Sequence, residues 1–231
     1  QNYILEHRLN EYMGPADGDI GIIVQGGLFN VLNGRLALAG LSDTQGNVAL
    51  PTLVLNVVHP LVPEEITRFC AGKKAVLVIE EGTPDFLEQA IGQILRKADL
   101  QTALHGKDVL PMAGEYTPLV VGKGLAAFFA RHGMPAPALE AWTASVDAQR
   151  AAVDKAFGAT ALPARPPTFC TGCPERPVFT AMKLLRQEMG PVHVSADIGC
   201  HSFATFAPFS QGNSILGYGM SLASAAAVSG T

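Results

Sequence analysis

The chain has 231 residues, of which 48% are hydrophobic and 16% are charged, and its formal net charge is −4. This composition is too apolar for a disordered chain, and the length suits one or two compact domains. The 16 Lys and Arg residues are scattered along the sequence, so no basic surface for nucleic acid is predicted. No run reaches the roughly 18–20 apolar residues of a membrane span. Four cysteines are too few for a disulfide scaffold and favour a reducing, cytoplasmic location.

The first part of the chain alternates predicted strands and helices. Asn2–Met13 has apolar residues at helical spacing, which predicts a helix within residues 1–17. Apolar strands separated by helices are typical of a parallel sheet that is covered on both faces. We therefore predict an α/β domain over residues 18–115. Its predicted strands are Ile20–Val24, Leu53–Val58 and Ala75–Ile79.

A helical connector rich in Ala and Pro is predicted over residues 116–167. Thr117 is a good N-cap for a helix that ends near His132, and a second helix is predicted over Leu139–Phe157. The proline-rich run at residues 163–167 is typical of a stiff, extended linker.

A second α/β unit is predicted over residues 168–231. Two strands are too few to make a sheet with covered faces, so we expect this unit to be the first part of a larger domain. Its predicted elements are a helix over Pro177–Met189, a strand over Val192–Ser195, a strand over Ser214–Tyr218 and a helix over Met220–Val228.

Two segments that combine cysteine and glycine are the strongest candidate site. One interpretation is a zinc site with three Cys ligands and one His ligand. A second is a dithiol redox site at a helix N-terminus. A third is a cofactor pocket, where glycine lets the backbone approach a ligand, and a fourth is simple packing of buried cysteines. The two segments are Cys170-Thr171-Gly172-Cys173 and Asp197-Ile198-Gly199-Cys200-His201.

Other motifs carry weaker signals. The segment from Gly217 to Ala223 resembles a dinucleotide fingerprint and also a nucleophile elbow around Ser221, but it lacks the last glycine of each. Its small residues favour a tightly packed helix. Glu80 and Glu81 follow the third strand and form either an acid/base pair or solvated carboxylates, one of which caps the next turn.

Three segments resemble the start of the thiamine-pyrophosphate-binding domain of indolepyruvate:ferredoxin oxidoreductases, within the 2-oxoacid:ferredoxin oxidoreductase superfamily. They are Phe169–Pro177, Ser195–His201 and Gly217–Gly219. The α/β domain at residues 18–115 is similar to the transketolase C-terminal-like domain of the same subunit. The resemblance thus implies two parallel-sheet α/β modules, the second an incomplete thiamine-diphosphate-binding fold. The chain departs from the family at Glu175, where many relatives carry His.

The resemblance implies oxidative decarboxylation of an aryl pyruvate such as indolepyruvate. Coenzyme A would take the acyl group, and iron–sulfur clusters would pass the electrons to ferredoxin. The implied cofactors are thiamine pyrophosphate with Mg²⁺ and [4Fe–4S] clusters, whose Mg²⁺ and cluster motifs are expected outside this segment. An oligomeric enzyme is expected, and the segment alone is expected to be inactive. The alternatives are a non-catalytic assembly module and a zinc-stabilised domain.

The resemblance also implies which residues line the thiamine site. Cys200 is expected near the thiazolium ring, because a polarizable sulfur suits a cationic heterocycle. No residue of this segment is expected to be a metal ligand, and none is assigned as catalytic. The expected cofactor-binding residues are Cys170, Gly172, Cys173, Asp197, Ile198, Gly199, Cys200, His201, Gly217 and Gly219.

Overall fold

The protein is described by a computed structural model that covers residues 1–43, 45–158 and 168–229. The chain divides into two compact units, Gln1–Ala159 and Thr160–Thr231. Among the described residues, no helix combines the length and the apolar character that crossing a bilayer requires.

The first unit is built on a five-stranded sheet. Strand order across the sheet is β1-β3-β2-β4-β5, with β1 antiparallel to β3 and the other neighbours parallel. The prediction of an α/β fold with a mostly parallel sheet is therefore confirmed. In chain order the elements are α1 (Asn2–Glu6), β1 (Glu11–Met13), β2 (Ile20–Gln25), α2 (Phe29–Leu38), β3 (Thr52–Leu55), α3 (Pro63–Cys70), β4 (Ala75–Ile79), α4 (Phe86–Lys97), β5 (Ala103–His105), α5 (Pro118–Arg131) and α6 (Pro137–Phe157).

The central strands are buried on both faces because nearly every position is apolar. Ile22 and Val24 pack with α2 and α5 on one face, whereas Ile23 packs with α3 and α4 on the other. All five residues of β4 are buried. Since successive side chains of a strand point to opposite faces, an uninterrupted apolar run requires helices on both sides.

The helices predicted as a connector belong to the core of the first unit. Leu125 and Phe128 of α5 and Leu139 of α6 are fully buried in the same cluster as Ile22. The first compact unit therefore continues beyond residue 115, because these side chains complete one face of the sheet. The predicted proline run at residues 163–167 lies outside the described residues.

The N-terminal segment differs from the predicted helix. Only Asn2–Glu6 is helical, and Glu11–Met13 forms β1 at the edge of the sheet. In this position its backbone groups pair with those at the edge of β3. A further edge strand, Ala103–His105, was not predicted, because three residues give no recognisable pattern.

The second unit is built around a short parallel pair of strands. Its elements are α7 (Glu175–Met189), β6 (Ser195–Ala196), β7 (Ser214–Ile215) and α8 (Ser221–Val228). Both strands are shorter than predicted. The loop between them contains a 3-10 helix at Cys200–Thr205. The buried core of this unit is the cluster of Phe169, Phe179 and Ala204.

Candidate functional site

The first cysteine segment forms a turn that leads into α7. The Cys173 N–H donates to the Cys170 carbonyl at 3.1 Å, and the Arg176 guanidinium donates to the Phe169 carbonyl at 3.3 Å. Cys170 is exposed, whereas Cys173 is half-buried against the cluster that contains Phe179. The turn therefore exposes one of its two cysteines and holds the other beside the aromatic core.

The second segment makes a sharp reversal after β6. Gly199 has φ 148° and ψ −154°, a conformation that is essentially restricted to glycine. The Ser202 N–H donates to the Gly199 carbonyl at 3.0 Å, which closes the first turn of the 3-10 helix. Ile198, Cys200 and His201 are exposed around this reversal. The loop therefore presents an apolar side chain, a thiol and an imidazole to solvent.

Asp197 connects this loop to the Gly217–Gly219 turn and α8. Its Oδ1 accepts the N–H of Ser221, the first residue of α8, at 2.8 Å. The Met220 N–H donates to the Gly217 carbonyl at 3.2 Å just before that helix. A carboxylate at a helix N-terminus is favourable because it compensates unpaired N–H groups and the helix dipole. Asp197 thus fixes the position of α8 relative to the loop.

His201 and Glu175 bring the two cysteine segments together. His201 Nε2 lies 3.8 Å from Glu175 Oε2, and the imidazole packs edge-on against Phe179 with ring centroids 5.8 Å apart. Glu175 Oε2 is buried and has no hydrogen-bond partner among the described residues. All three predicted segments therefore lie in one unit, where side-chain contacts join the first two and Asp197 bonds the helix that follows the third.

Open space surrounds three of the predicted glycines. A Cβ added to Gly172, Gly199 or Gly219 would meet no atom within 4 Å, whereas one added to Gly217 would lie 3.3 Å from the Met220 side chain. A ligand could therefore approach the backbone closely at the first three positions.

The predicted zinc alternative is not formed in the described part of the chain. No three His, Cys, Asp or Glu side chains there are placed to hold one metal ion. Cys170, Cys173 and Cys200 are all free thiols.

Sequence reasoning missed a serine cluster under α8. Ser224 Oγ is 2.6 Å from Ser214 Oγ and 3.2 Å from Ser195 Oγ. Ser195 and Ser214 are paired across β6 and β7, so the three hydroxyls anchor the helix on the strands. The serines within α8 were the available signal in the sequence, and they do not reveal their partners.

The glutamates that follow β4 have structural partners. The Glu80 carboxylate is buried and accepts the N–H groups of Leu87 and Glu88 at 2.9 and 3.2 Å, so it caps α4. Glu81 accepts the N–H of Tyr116. Glu80 is thus a buried cap rather than a solvated carboxylate, and both side chains organise backbone at the edge of the sheet.

Comparison with known proteins gives a consistent set of relatives. The chain is 28% identical over 224 residues to indolepyruvate oxidoreductase subunit IorA of Methanothermobacter thermautotrophicus. The aligned region covers 94% of this chain and 32% of the relative. It is 30% identical over 208 residues to the IorA subunit of Archaeoglobus fulgidus, covering 90% of this chain and 30% of the relative. The chain resembles IorA. No protein-family model matches it.

The similarity to IorA extends over nearly the whole chain but over a limited part of the relatives. The chain spans about a third of the length of the IorA subunits it matches. Among solved structures, a 2-oxoglutarate:ferredoxin oxidoreductase from Magnetococcus marinus is 20% identical, with a TM-score of 0.36 over 51% of this chain and 19% of that chain.

Proposed function

We propose that this chain is a segment of a cytoplasmic, thiamine-pyrophosphate-dependent indolepyruvate:ferredoxin oxidoreductase. The observation that carries the proposal is the similarity to IorA over nine tenths of the chain. In the complete enzyme, an aryl pyruvate is converted to an acyl-CoA, and ferredoxin receives the electrons. When bound, thiamine pyrophosphate supplies the nucleophilic carbon for decarboxylation. The Mg²⁺ ligands and the [4Fe–4S] clusters belong to parts of the enzyme outside this chain.

In this proposal, the role of the second unit is to form one wall of the coenzyme pocket. The open backbone at Gly172, Gly199 and Gly219 supports it, because a Cβ at these positions would occupy space that a ligand could use. The exposed thiol of Cys200 would lie against the thiazolium ring, as expected from the polarizability of sulfur. The remaining wall residues are Cys170, Cys173, Asp197, Ile198, His201 and Gly217.

The contacts within the second unit support a division of roles among these residues. Asp197 holds the N-terminus of α8 through the 2.8 Å hydrogen bond to Ser221. His201 packs the loop against Phe179 of α7 and lies beside Glu175. These residues therefore position the wall, whereas Cys200 and the glycine backbone face the coenzyme.

The proposal is tested by Cys200→Ala in the complete oxidoreductase. We expect weaker coenzyme binding and lower turnover with subunit assembly unchanged, because the exposed thiol is not part of the core. Calorimetric titration with thiamine pyrophosphate and Mg²⁺, together with steady-state kinetics, measures both effects. Ser145→Ala on the exposed surface of α6 is the matched control.

The outcomes separate the proposal from the assembly alternative. Unchanged coenzyme affinity and turnover in the Cys200→Ala enzyme would contradict the assignment of this wall. Loss of assembly, measured by size-exclusion chromatography with light scattering, would instead identify the segment as a non-catalytic interaction module.

A further inference from the structure

Two histidines of the first unit bring their ring nitrogens together at one end of the sheet. His105 is the last residue of β5, and His132 immediately follows α5 as its C-cap. Their Nε2 atoms are 3.2 Å apart. Both residues are half-buried, and the two rings cross at 65°. Phe128 packs against both rings, with centroids 5.7 and 4.9 Å away, so neighbouring side chains restrict their movement.

Asp108 determines which nitrogen of His105 carries the proton. Its Oδ2 lies 2.8 Å from His105 Nδ1. A carboxylate only accepts hydrogen bonds, so Nδ1 must be the protonated nitrogen of the neutral ring. The lone pair is then on Nε2, the atom that faces His132. A carboxylate that orients an imidazole in this way is the usual outer-shell partner of a metal-binding histidine.

The distance between the two Nε2 atoms suits a transition-metal ion. Two imidazole nitrogens that each lie about 2.0–2.1 Å from a tetrahedral zinc ion are separated by about 3.3–3.4 Å. The C-terminal end of α5 adds a second favourable feature, because the helix dipole is negative there and attracts cations.

We propose that His105 and His132 form a two-imidazole binding site for a divalent transition-metal ion of the Zn²⁺ class. Water completes the coordination, and Asp108 positions His105. Without metal, His132 donates its Nε2 proton to His105 Nε2. Metal binding moves that proton of neutral His132 to its Nδ1, so both Nε2 lone pairs face the ion and the ring charge does not change.

The positive charge of Arg131 lies near the proposed metal position and would repel the ion. Arg131 Nη1 contacts the Asp108 carboxylate and lies 3.5 Å from His105 Nδ1. The guanidinium and the carboxylate are both about half exposed, so solvent screens the repulsion between Arg131 and the ion. The Arg131–Asp108 pair also keeps the carboxylate in place beside His105.

The site is tested by titrating the full-length protein with ZnCl₂ in a calorimeter. We expect His105→Gln and His132→Gln each to remove the same binding event. Asp108→Asn should weaken that event by about 10–100-fold, the usual effect of losing an outer-shell partner. His7→Gln, at the exposed residue that follows α1, is the matched control and should bind like the parent. Zinc binding to His132→Gln with the parent's stoichiometry and affinity would overturn the proposal.

A second measurement uses the unmodified protein and is independent of how the variants fold. Diethylpyrocarbonate reacts with free imidazole nitrogens, and peptide mass spectrometry locates the modified histidines. Zn²⁺ should protect His105 and His132 while leaving His7 and His59 reactive. Equal protection of all four histidines, or of neither His105 nor His132, would show that this pair is not a metal site.

Discussion

At the scale of single residues, one buried network holds the loop after β5 against the sheet. Lys107 Nζ donates to the carbonyls of Glu80 and Gly82 at 2.6 and 2.9 Å, and it lies 2.7 Å from Tyr116 Oη. Tyr116 is 2% exposed and donates its hydroxyl proton to the Pro111 carbonyl at 2.7 Å. Burial, with smaller contributions from nearby glutamates, raises the pKa of Tyr116 to about 12. The hydroxyl is therefore neutral and donates a hydrogen bond throughout the physiological range.

Tyr116→Phe should lower the free energy of unfolding of the first unit by about 1–2 kcal/mol, because the Pro111 carbonyl and the Lys107 ammonium each lose a buried partner. Denaturant unfolding followed by fluorescence of Trp142, the single tryptophan, measures the change. Tyr3→Phe removes the same atom from a side chain that is 66% exposed and should have little effect. If the Tyr116→Phe and Tyr3→Phe variants were equally stable, the Tyr116 hydroxyl would add nothing to the stability of the first unit.

At the scale of elements, two helical glycines in the first unit have opposite surroundings. A Cβ at Gly34 in α2 would meet no atom within 4 Å, whereas one at Gly124 in α5 would lie 2.3 Å from Leu110 Cδ2 and 3.0 Å from Leu110 Cγ. Leu110 is buried in the core and has little room to move. Close packing of α5 on the loop after β5 therefore requires glycine at position 124.

Gly34→Ala should stabilise the first unit by up to about 1 kcal/mol, because alanine is the better helix former and meets no obstacle. Gly124→Ala should destabilise it by about 1–3 kcal/mol, since overpacking outweighs the same gain in helix propensity. Thermal unfolding monitored by circular dichroism compares the two variants. Stabilisation by both substitutions would contradict the close contact with Leu110.

The elements also show how far the sequence alone predicts this fold. β4 was predicted with both its ends, because Ala75–Ile79 is an uninterrupted apolar run, and the start of α5 was predicted because Thr117 is a good N-cap. β1 and β5 were missed since each has three residues and depends on a partner strand. Edge strands of that length carry too few residues for a periodic pattern.

The candidate site could be predicted only in part, because the sequence shows local patterns but not the contacts between distant residues. The glycine and cysteine segments are local patterns, so they could be recognised in the sequence. The contacts that join them, between His201 and Glu175 and between Asp197 and Ser221, connect residues 24 or more positions apart. Such pairs depend on how α7, α8 and the short strands pack, which composition and spacing do not determine.

At the scale of the whole molecule, each unit leaves some large apolar side chains exposed, and in the second unit several of them lie on α7 and α8. The first unit encloses two clusters of buried residues, one on each face of its sheet. The second unit leaves Leu184, Leu185 and Met189 of α7 and Leu222 of α8 more than half exposed. Under the proposal above, these exposed side chains would contact the rest of a larger coenzyme site.

The proposed position of the coenzyme beside Cys200 predicts how the reactivity of that thiol changes when the coenzyme binds. In the complete oxidoreductase, iodoacetamide should alkylate exposed Cys200, whereas burial raises the pKa of Cys70 to about 12 and keeps that thiol unreactive. A Ser145→Cys substitution on the exposed face of α6 supplies a distant reference thiol. At thiamine pyrophosphate and Mg²⁺ concentrations about tenfold above Kd, the alkylation rate of Cys200 should fall about tenfold. The rate at residue 145 should stay the same. An unchanged rate at Cys200 with the coenzyme bound would contradict the account.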